Sequence, residues 1–263
     1  MQKVILITGT SSGIGFEAAN YLTKKGHIVY GFSRSYPQDE ALFETIIGDV
    51  TNEDSIKAAL QKIMQNESRL DVVVNNAGMG ISGSCEHTEL EQIQKIFNIN
   101  AIGVFLVCKL SIPYLRASMG KIINIGSVAG ELPIPFQSFY SATKASVEAY
   151  SLALSSELKP FNIKVSIVLP GDTKTSFTKN RQKNETETNE LYGERIIKSL
   201  QKMEKDEESG MSPLSVSRVI EKLIKQKNPS AIKTVGLKYK TIIFLKRFLP
   251  VRFVNYLIYK MYG

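Results

Sequence analysis

Residues 4–15 read Val4-Ile5-Leu6-Ile7-Thr8-Gly9-Thr10-Ser11-Ser12-Gly13-Ile14-Gly15. A continuous β-branched run followed at once by three glycines is the pattern of a buried strand feeding a tight turn. Strands that are apolar on both faces belong to parallel sheets covered by helices on both sides. The stretch after the turn, Phe16 to Lys24, reads as a helix, and Gly26 stands where a helix C-terminus needs it. The glycines of the turn let an anionic group approach the backbone. The N–H groups at the start of the following helix would hold such a group.

The same alternation continues outward from this unit. Strands are expected at His27–Ser33, Glu44–Asp49, Leu70–Asn75, Lys121–Gly126, Lys164–Leu169 and Ala231–Val235. Helices are expected at Glu53–Gln65, Glu89–Leu115, Ser141–Leu158, Glu190–Lys205 and Pro213–Lys227, with a polar loop over Thr178–Asn189. Strand and helix in turn imply an α/β fold, a Rossmann-like doubly wound parallel sheet in a single domain over residues 1–235. Residues 236–263 form a separate segment, expected as two helices divided by Pro250.

The chain has 263 residues, 43% hydrophobic and 22% charged, which excludes global disorder. Two cysteines exclude a disulfide framework and a cysteine-rich zinc module, and two histidines are too few for a histidine-built metal centre. The N-terminal apolar run is too short for a signal peptide or an anchor. The expected setting is therefore the reducing cytoplasm. The charge is 33 basic against 25 acidic, or +8, but it is unevenly spread. After Glu221 there are ten Lys or Arg and no acid, so residues 1–221 carry 23 basic against 25 acidic, or −2. A basic tail on a slightly acidic body argues against a nucleic-acid binder.

In a doubly wound sheet the ligand sits at the carboxyl ends of the strands. Those ends here carry Gly9 to Gly15, then Ser33-Arg34, Asn75-Asn76-Ala77-Gly78, Gly126-Ser127 and Pro170-Gly171 with Thr173 and Thr175. A carboxylate after the second strand would hold a ribose diol. A hydroxyl and a guanidinium there instead suit a 2′-phosphate, so NADP(H) is expected over NAD(H). Tyr140 and Lys144 lie one helical turn apart and share a face. The spacing predicts that the ammonium lowers the phenol pKa and lets Tyr140 exchange a proton with a carbonyl or alcohol oxygen.

These motifs, Thr8-Gly-x-x-x-Gly13-x-Gly15, Asn75-Asn-Ala-Gly78, Asn100, Ser127, Tyr140-x-x-x-Lys144 and Pro170-Gly171, resemble the short-chain dehydrogenase/reductase family over roughly residues 3–235. The resemblance implies nicotinamide chemistry with Tyr140 as general acid/base. Ser127 would hold the substrate oxygen, and Lys144 would bind the nicotinamide ribose. Asn100 would sit at a helix irregularity and support a water beside Lys144. Around the cofactor, Gly9, Ser11, Ser12, Gly13, Ile14 and Gly15 would form the phosphate turn. Asp49 and Val50 would flank the adenine, and Asn76, Ala77 and Gly78 the nucleotide. Pro170, Gly171, Thr173 and Thr175 would close over it, with Thr175 contacting it near the carboxamide or phosphates. Ser12 departs from the second basic residue that many NADP(H) members carry there, so the preference rests on Arg34. The family also implies a homo-oligomer, dimer or tetramer, built on the long helices.

The expected walls of the substrate pocket are Met79, Gly80, Ile81, Leu132, Pro133, Ile134, Phe136, Phe139 and the loop near Phe177. They are mostly apolar, which suits a lipophilic ketone or alcohol. A soluble polar carbonyl or acyl-carrier substrate is the alternative, and a non-catalytic dinucleotide-binding regulator a more distant one. The basic, aromatic tail has three possible placements: in a membrane interface, at the inner membrane surface; over the cleft; or packed on its own domain or between subunits.

Overall fold

A computed structural model of the chain describes residues 1–183 and 191–263. Strands β1 (Val4–Thr8), β2 (Ile28–Ser33), β3 (Glu44–Ile47) and β4 (Val72–Asn75) form the first half of a seven-stranded sheet. A two-residue strand, β5 (Ile81–Ser82), stands apart from it. Strands β6 (Lys121–Ile125) and β7 (Lys164–Pro170) belong to the main sheet. The short β8 (Gln182–Lys183) pairs with β5, and β9 (Ile232–Val235) completes the main sheet. The order is β3-β2-β1-β4-β6-β7-β9 and every pairing is parallel. The strand order reverses between β1 and β4, which opens a crevice at their carboxyl ends.

The sheet buries both faces, as its apolar runs require. Leu6, Phe32 and Val73 point to one side and meet Ile63 of α2 (Glu53–Glu67). Ile5, Ile7 and Val74 point to the other and meet Leu22 of α1 (Gly13–Lys24). A long helical run follows β5: α3 (Leu90–Phe97), a π-helical turn (Asn98–Ile102) and α4 (Gly103–Ser118). By length and composition Leu90–Ser118 could cross a membrane. It serves instead as a core helix, with Ile96, Val107, Cys108 and Leu115 fully buried. α5 (Val128–Glu131) is a single turn after β6, and α6 (Ser138–Glu157) lies across the same face of the sheet. α7 (Gly193–Glu208) and α8 (Pro213–Lys225) complete the body.

A buried polar chain fixes α6 to the sheet. Asn75 donates to Asn124 at 2.8 Å, Asn124 donates to Ser151 at 2.8 Å, and Ser151 returns to the Val147 carbonyl at 2.6 Å. All three side chains are buried, so each bond spares an unpaired polar group. At the amino ends of the central strands the buried Asp71 accepts from Val4 N–H at 2.9 Å and from Lys3 at 3.1 Å, tying β1 to the start of β4.

The tail begins straight after β9 as α9 (Leu237–Lys246) and continues as α10 (Val251–Tyr262), with Pro250 at the cap between them. Within the expected loop over Thr178–Asn189, Gln182–Lys183 forms β8. Its remainder from 184, and the expected helix start at Glu190, lie outside the described residues. The helix itself is offset towards the C-terminus, starting at Gly193.

Candidate active site

The crevice at the switch point is one continuous cavity of about 680 Å³. That lies within the range of small-ligand and cofactor sites. Its floor is the glycine turn. Gly9 and Gly13 have φ of +72° and +62°, conformations that a side chain would strain. Ser11, Ser12, Gly13 and Ile14 line the cavity at the start of α1. Ser12 is the N-cap but makes no side-chain cap bond, and the first turn carries no acid, so this positive end of the helix faces the cavity uncompensated. Gly15 sits behind the floor. A Cβ there would stand 2.2 Å from the Gly9 carbonyl oxygen and 2.4 Å from Asn76 Nδ2, so this glycine is required for the turn to close.

The turn is stitched to the loop after β4. Thr8 Oγ1 accepts from the N–H of Asn76 and of Ala77, each at 3.0 Å, and Asn76 Nδ2 donates back to the Thr8 and Gly9 carbonyls. This holds Asn76, Ala77 and Gly78 on the cavity wall. Thr8 does this work through its side chain, a role the sequence motif alone did not assign. Ser33, Arg34, Asp49 and Val50 line the far end. Ser33 donates to the Ser35 carbonyl at 2.8 Å, and Asp49 accepts from Thr51 N–H at 2.9 Å. Arg34 is exposed and makes no ion pair among the described residues.

Pro170, Gly171, Thr173 and Thr175 line the opposite rim. Thr175 closes against the glycine turn, and a Cβ on Gly13 would lie 3.4 Å from it. Gly171 has a second reason to be glycine: a Cβ would come within 2.1 Å of the Tyr239 ring of α9.

Ser127, Tyr140 and Lys144 meet at the inner end of the cavity. Ser127 caps α5, its Oγ accepting from Ala129 N–H at 3.1 Å, and hydrogen-bonds the Tyr140 phenol. Lys144 Nζ donates to the Ile125 carbonyl at 2.9 Å and lies 5.8 Å from the Tyr140 ring centroid. The expected lowering of the phenol pKa is not what the geometry yields. Burial pushes Tyr140 up to about 12, against the hydrogen bond from Ser127; Glu207 adds to the rise and Arg181 opposes it. Burial also pushes Lys144 down to about 8. The i,i+4 spacing brings the two residues together, and the low-polarity surroundings determine where they titrate.

Asn100 lies in the π-helical turn, as a helix irregularity was expected there, but it does not line the cavity. It is fully buried. Its Oδ1 accepts from Met79 N–H at 2.8 Å, and its Nδ2 donates to the Met79 carbonyl at 2.9 Å and to Thr143 at 3.2 Å. It therefore ties the loop after β4 to the residue before Lys144, a positioning part.

Of the expected pocket walls, Met79, Gly80, Leu132, Ile134 and Phe177 line the cavity; Ile81, Pro133, Phe136 and Phe139 do not. Ile81 is committed to β5, and Phe136, at φ +61°, turns away to meet the Tyr192 ring at 6.3 Å. The missing wall comes from the tail. Ile242, Leu245, Val254, Leu257, Ile258 and Met261 form an apolar roof over the cavity. Glu207 also faces it, held by the buried Arg181 and accepting from Thr178 Oγ1.

A family model described as short chain dehydrogenase matches residues 3–186. The chain is 44% identical over 236 residues to the 3-ketodihydrosphingosine reductase of Bacteroides thetaiotaomicron, covering 89% of this chain and 88% of that one. It is 33% identical over 255 residues to the probable short-chain type dehydrogenase/reductase VdlC of Helicobacter pylori, covering 93% and 92%. Among solved structures, the short-chain dehydrogenase from Streptomyces avermitilis superposes with a TM-score of 0.83 at 27% identity, covering 94% and 92%.

Proposed function

Since the chain belongs to the short-chain dehydrogenase family and is an NAD(P)-dependent oxidoreductase, we propose that it reduces the ketone of a long-chain, lipid-like substrate with NADPH. The observation that carries the substrate class is the apolar roof. Its aliphatic side chains line the same cavity as Ser127, Tyr140 and Lys144, which supports an apolar substrate. The relative named as a 3-ketodihydrosphingosine reductase supports the same class.

The residues present fit a bound dinucleotide. The turn has room only for glycine at Gly9 and Gly15, the α1 N-terminus lacks a counter-charge, and Arg34 stands beside the cavity without a carboxylate partner among the described residues. In this reading Gly9 to Ile14 hold the pyrophosphate, Ser33 and Arg34 a 2′-phosphate, Asp49 and Val50 the adenine. Asn76, Ala77, Gly78, Pro170, Gly171, Thr173 and Thr175 enclose the rest. When bound, the nicotinamide supplies the hydride.

The protein's own residues manage the oxygen. Ser127 donates to the carbonyl and holds it beside the phenol. Tyr140, protonated throughout the physiological range because burial raises it to about 12, gives its proton to the oxygen as charge develops there. The phenolate left behind is offset by the Lys144 ammonium, 5.8 Å from the ring centroid, and by Arg181. Asn100 and Thr143 keep Lys144 in register with the loop after β4.

An NADPH-consumption screen over long-chain ketones, steroids and short polar ketones tests the reading. The expected result is a kcat/KM at least about tenfold higher for long apolar chains, since each buried methylene adds about 0.8 kcal/mol. Equal turnover of short polar ketones would favour the soluble-metabolite alternative. A pH profile adds a second check. Lys144 is charged below its lowered pKa of about 8 and neutral above it, so the phenolate loses its counter-charge as pH rises. Ketone reduction, read as kcat/KM, is expected to decline above about pH 8, and Lys144→Arg should move that limb to higher pH at reduced rate. A profile flat across this range would remove Lys144 from the proton step.

A further inference from the structure

We propose that the outer face of the tail, residues 237–262, is a docking surface for an anionic lipid bilayer, set over the mouth of the substrate cavity. Docking there lets a lipophilic substrate enter from the bilayer and not from water. The inference rests on the proposed substrate class for that last consequence alone; the docking surface stands on the tail's own geometry.

Helices α9 and α10 are apolar on two sides. Their inner side is accounted for by the cavity and the core: Tyr239 and Ile243 pack against the main hydrophobic cluster, and Val254 and Ile258 face the cavity. Polar contacts hold this side down at three points. Tyr239 donates to Asp172, Lys246 pairs with Glu131 at 2.6 Å, and Tyr262 donates to Asp206 at 2.9 Å. Among the described residues the outer side has no such polar contact to the body. Leu237, Phe244, Phe248, Val251, Phe253 and Tyr256 are each between 47% and 79% exposed. An ordinary surface helix turns polar residues outward. Large exposed apolar side chains gathered on one short segment, with Phe244 and Phe248 in ring contact at 5.3 Å, mark an interaction surface.

The charges select the partner. Lys240, Arg247, Arg252 and Lys260 are all exposed along the same segment and do not line the cavity, and no Asp or Glu follows Glu221. A second copy docked face to face would set these cations against their own counterparts. A bilayer with anionic headgroups accepts both halves of the pattern: cations at the headgroup level, aromatic and aliphatic side chains at the acyl boundary. At 1.5 Å per residue the twelve residues of α10 span about 18 Å, short of the roughly 30 Å hydrocarbon core, so the helices lie in the interface plane and do not cross it.

The test is co-sedimentation of the full-length protein with phosphatidylcholine vesicles prepared with and without phosphatidylserine. Binding is expected with phosphatidylserine and is expected to weaken as salt is raised. The triple variant Lys240→Glu, Arg247→Glu, Arg252→Glu should bind at least about tenfold more weakly. Phe244→Ser with Phe248→Ser should lose binding by a similar factor. None of these five side chains lines the cavity. Turnover of a short water-soluble ketone should therefore be unchanged in both variants, which also shows that they fold. Absence of binding, or binding indifferent to both variants, would overturn the proposal. Self-association of the full-length protein that the Phe244/Phe248 variant abolishes, without vesicle binding, would assign the face to a second copy instead. Vesicle binding without ketone reduction would fault the proposed activity and leave the surface standing; ketone reduction without vesicle binding would do the reverse.

Discussion

Tyr140→Phe is expected to lower the kcat for ketone reduction by about a thousandfold while leaving the NADPH dissociation constant within about twofold. In the proposed mechanism the phenol hydroxyl is the proton source at the carbonyl, and the neighbouring Ser127, an aliphatic alcohol, is a far weaker acid than a phenol. The ring itself stays. It packs against Phe177 with centroids 5.7 Å apart, and phenylalanine keeps that contact. The variant therefore separates proton transfer from packing and from cofactor binding. Stopped-flow turnover of the best ketone and a fluorescence titration with NADPH read the two effects independently. A variant that keeps a tenth of the activity would mean that another group delivers the proton. Loss of NADPH binding in step with activity would mean that Tyr140 acts through the shape of the site.

The buried sheet was readable from sequence because runs such as Val4–Thr8 and Val72–Asn75 have one environment on both faces. Their apolar character therefore needs no partner to interpret. Short elements were not readable for the opposite reason. α5 has four residues, and β5 and β8 two each, fewer than a period needs to declare itself. α6 starts at Ser138, three residues before the expected Ser141. Ser141 lies inside the helix, 3% exposed, and Gln137, a residue with no capping preference, precedes the first turn without marking it in the sequence.

The strand-end residues of the site were legible because register alone delivers them to the crevice. The roof was not, since it depends on pairings between distant segments. Lys246 meets Glu131 across 115 residues, and Tyr239 meets Asp172 across 67. Local apolar residues such as Phe136 and Phe139 therefore read as pocket walls from sequence, whereas Leu245 and Leu257 of the tail line the cavity. Titration behaviour was hidden for a related reason. Helical spacing shows which groups are neighbours, whereas burial, here the largest influence on both Tyr140 and Lys144, is a property of the whole fold.

Arg34→Asp is expected to reverse the cofactor preference. Arg34 lies on the cavity at the end of β2, beside Ser33, with no carboxylate paired to it among the described residues. Its guanidinium can make two parallel charge-assisted bonds to a 2′-phosphate. Losing bonds of that kind removes about 3 kcal/mol, or about a hundredfold in kcat/KM for NADPH, and the new carboxylate repels the phosphate besides. The same carboxylate sits where a ribose diol would be held, so kcat/KM for NADH should rise. Arg34→Ala distinguishes the two halves: it should lose most of the NADPH rate without gaining the NADH rate. Both variants alter an exposed side chain and should leave the thermal midpoint within a few degrees of the parent. The measurement is the ratio of kcat/KM for the two cofactors with one ketone at one pH. An unchanged ratio in both variants would place the 2′-phosphate elsewhere on the cavity rim and remove the basis for an NADPH preference.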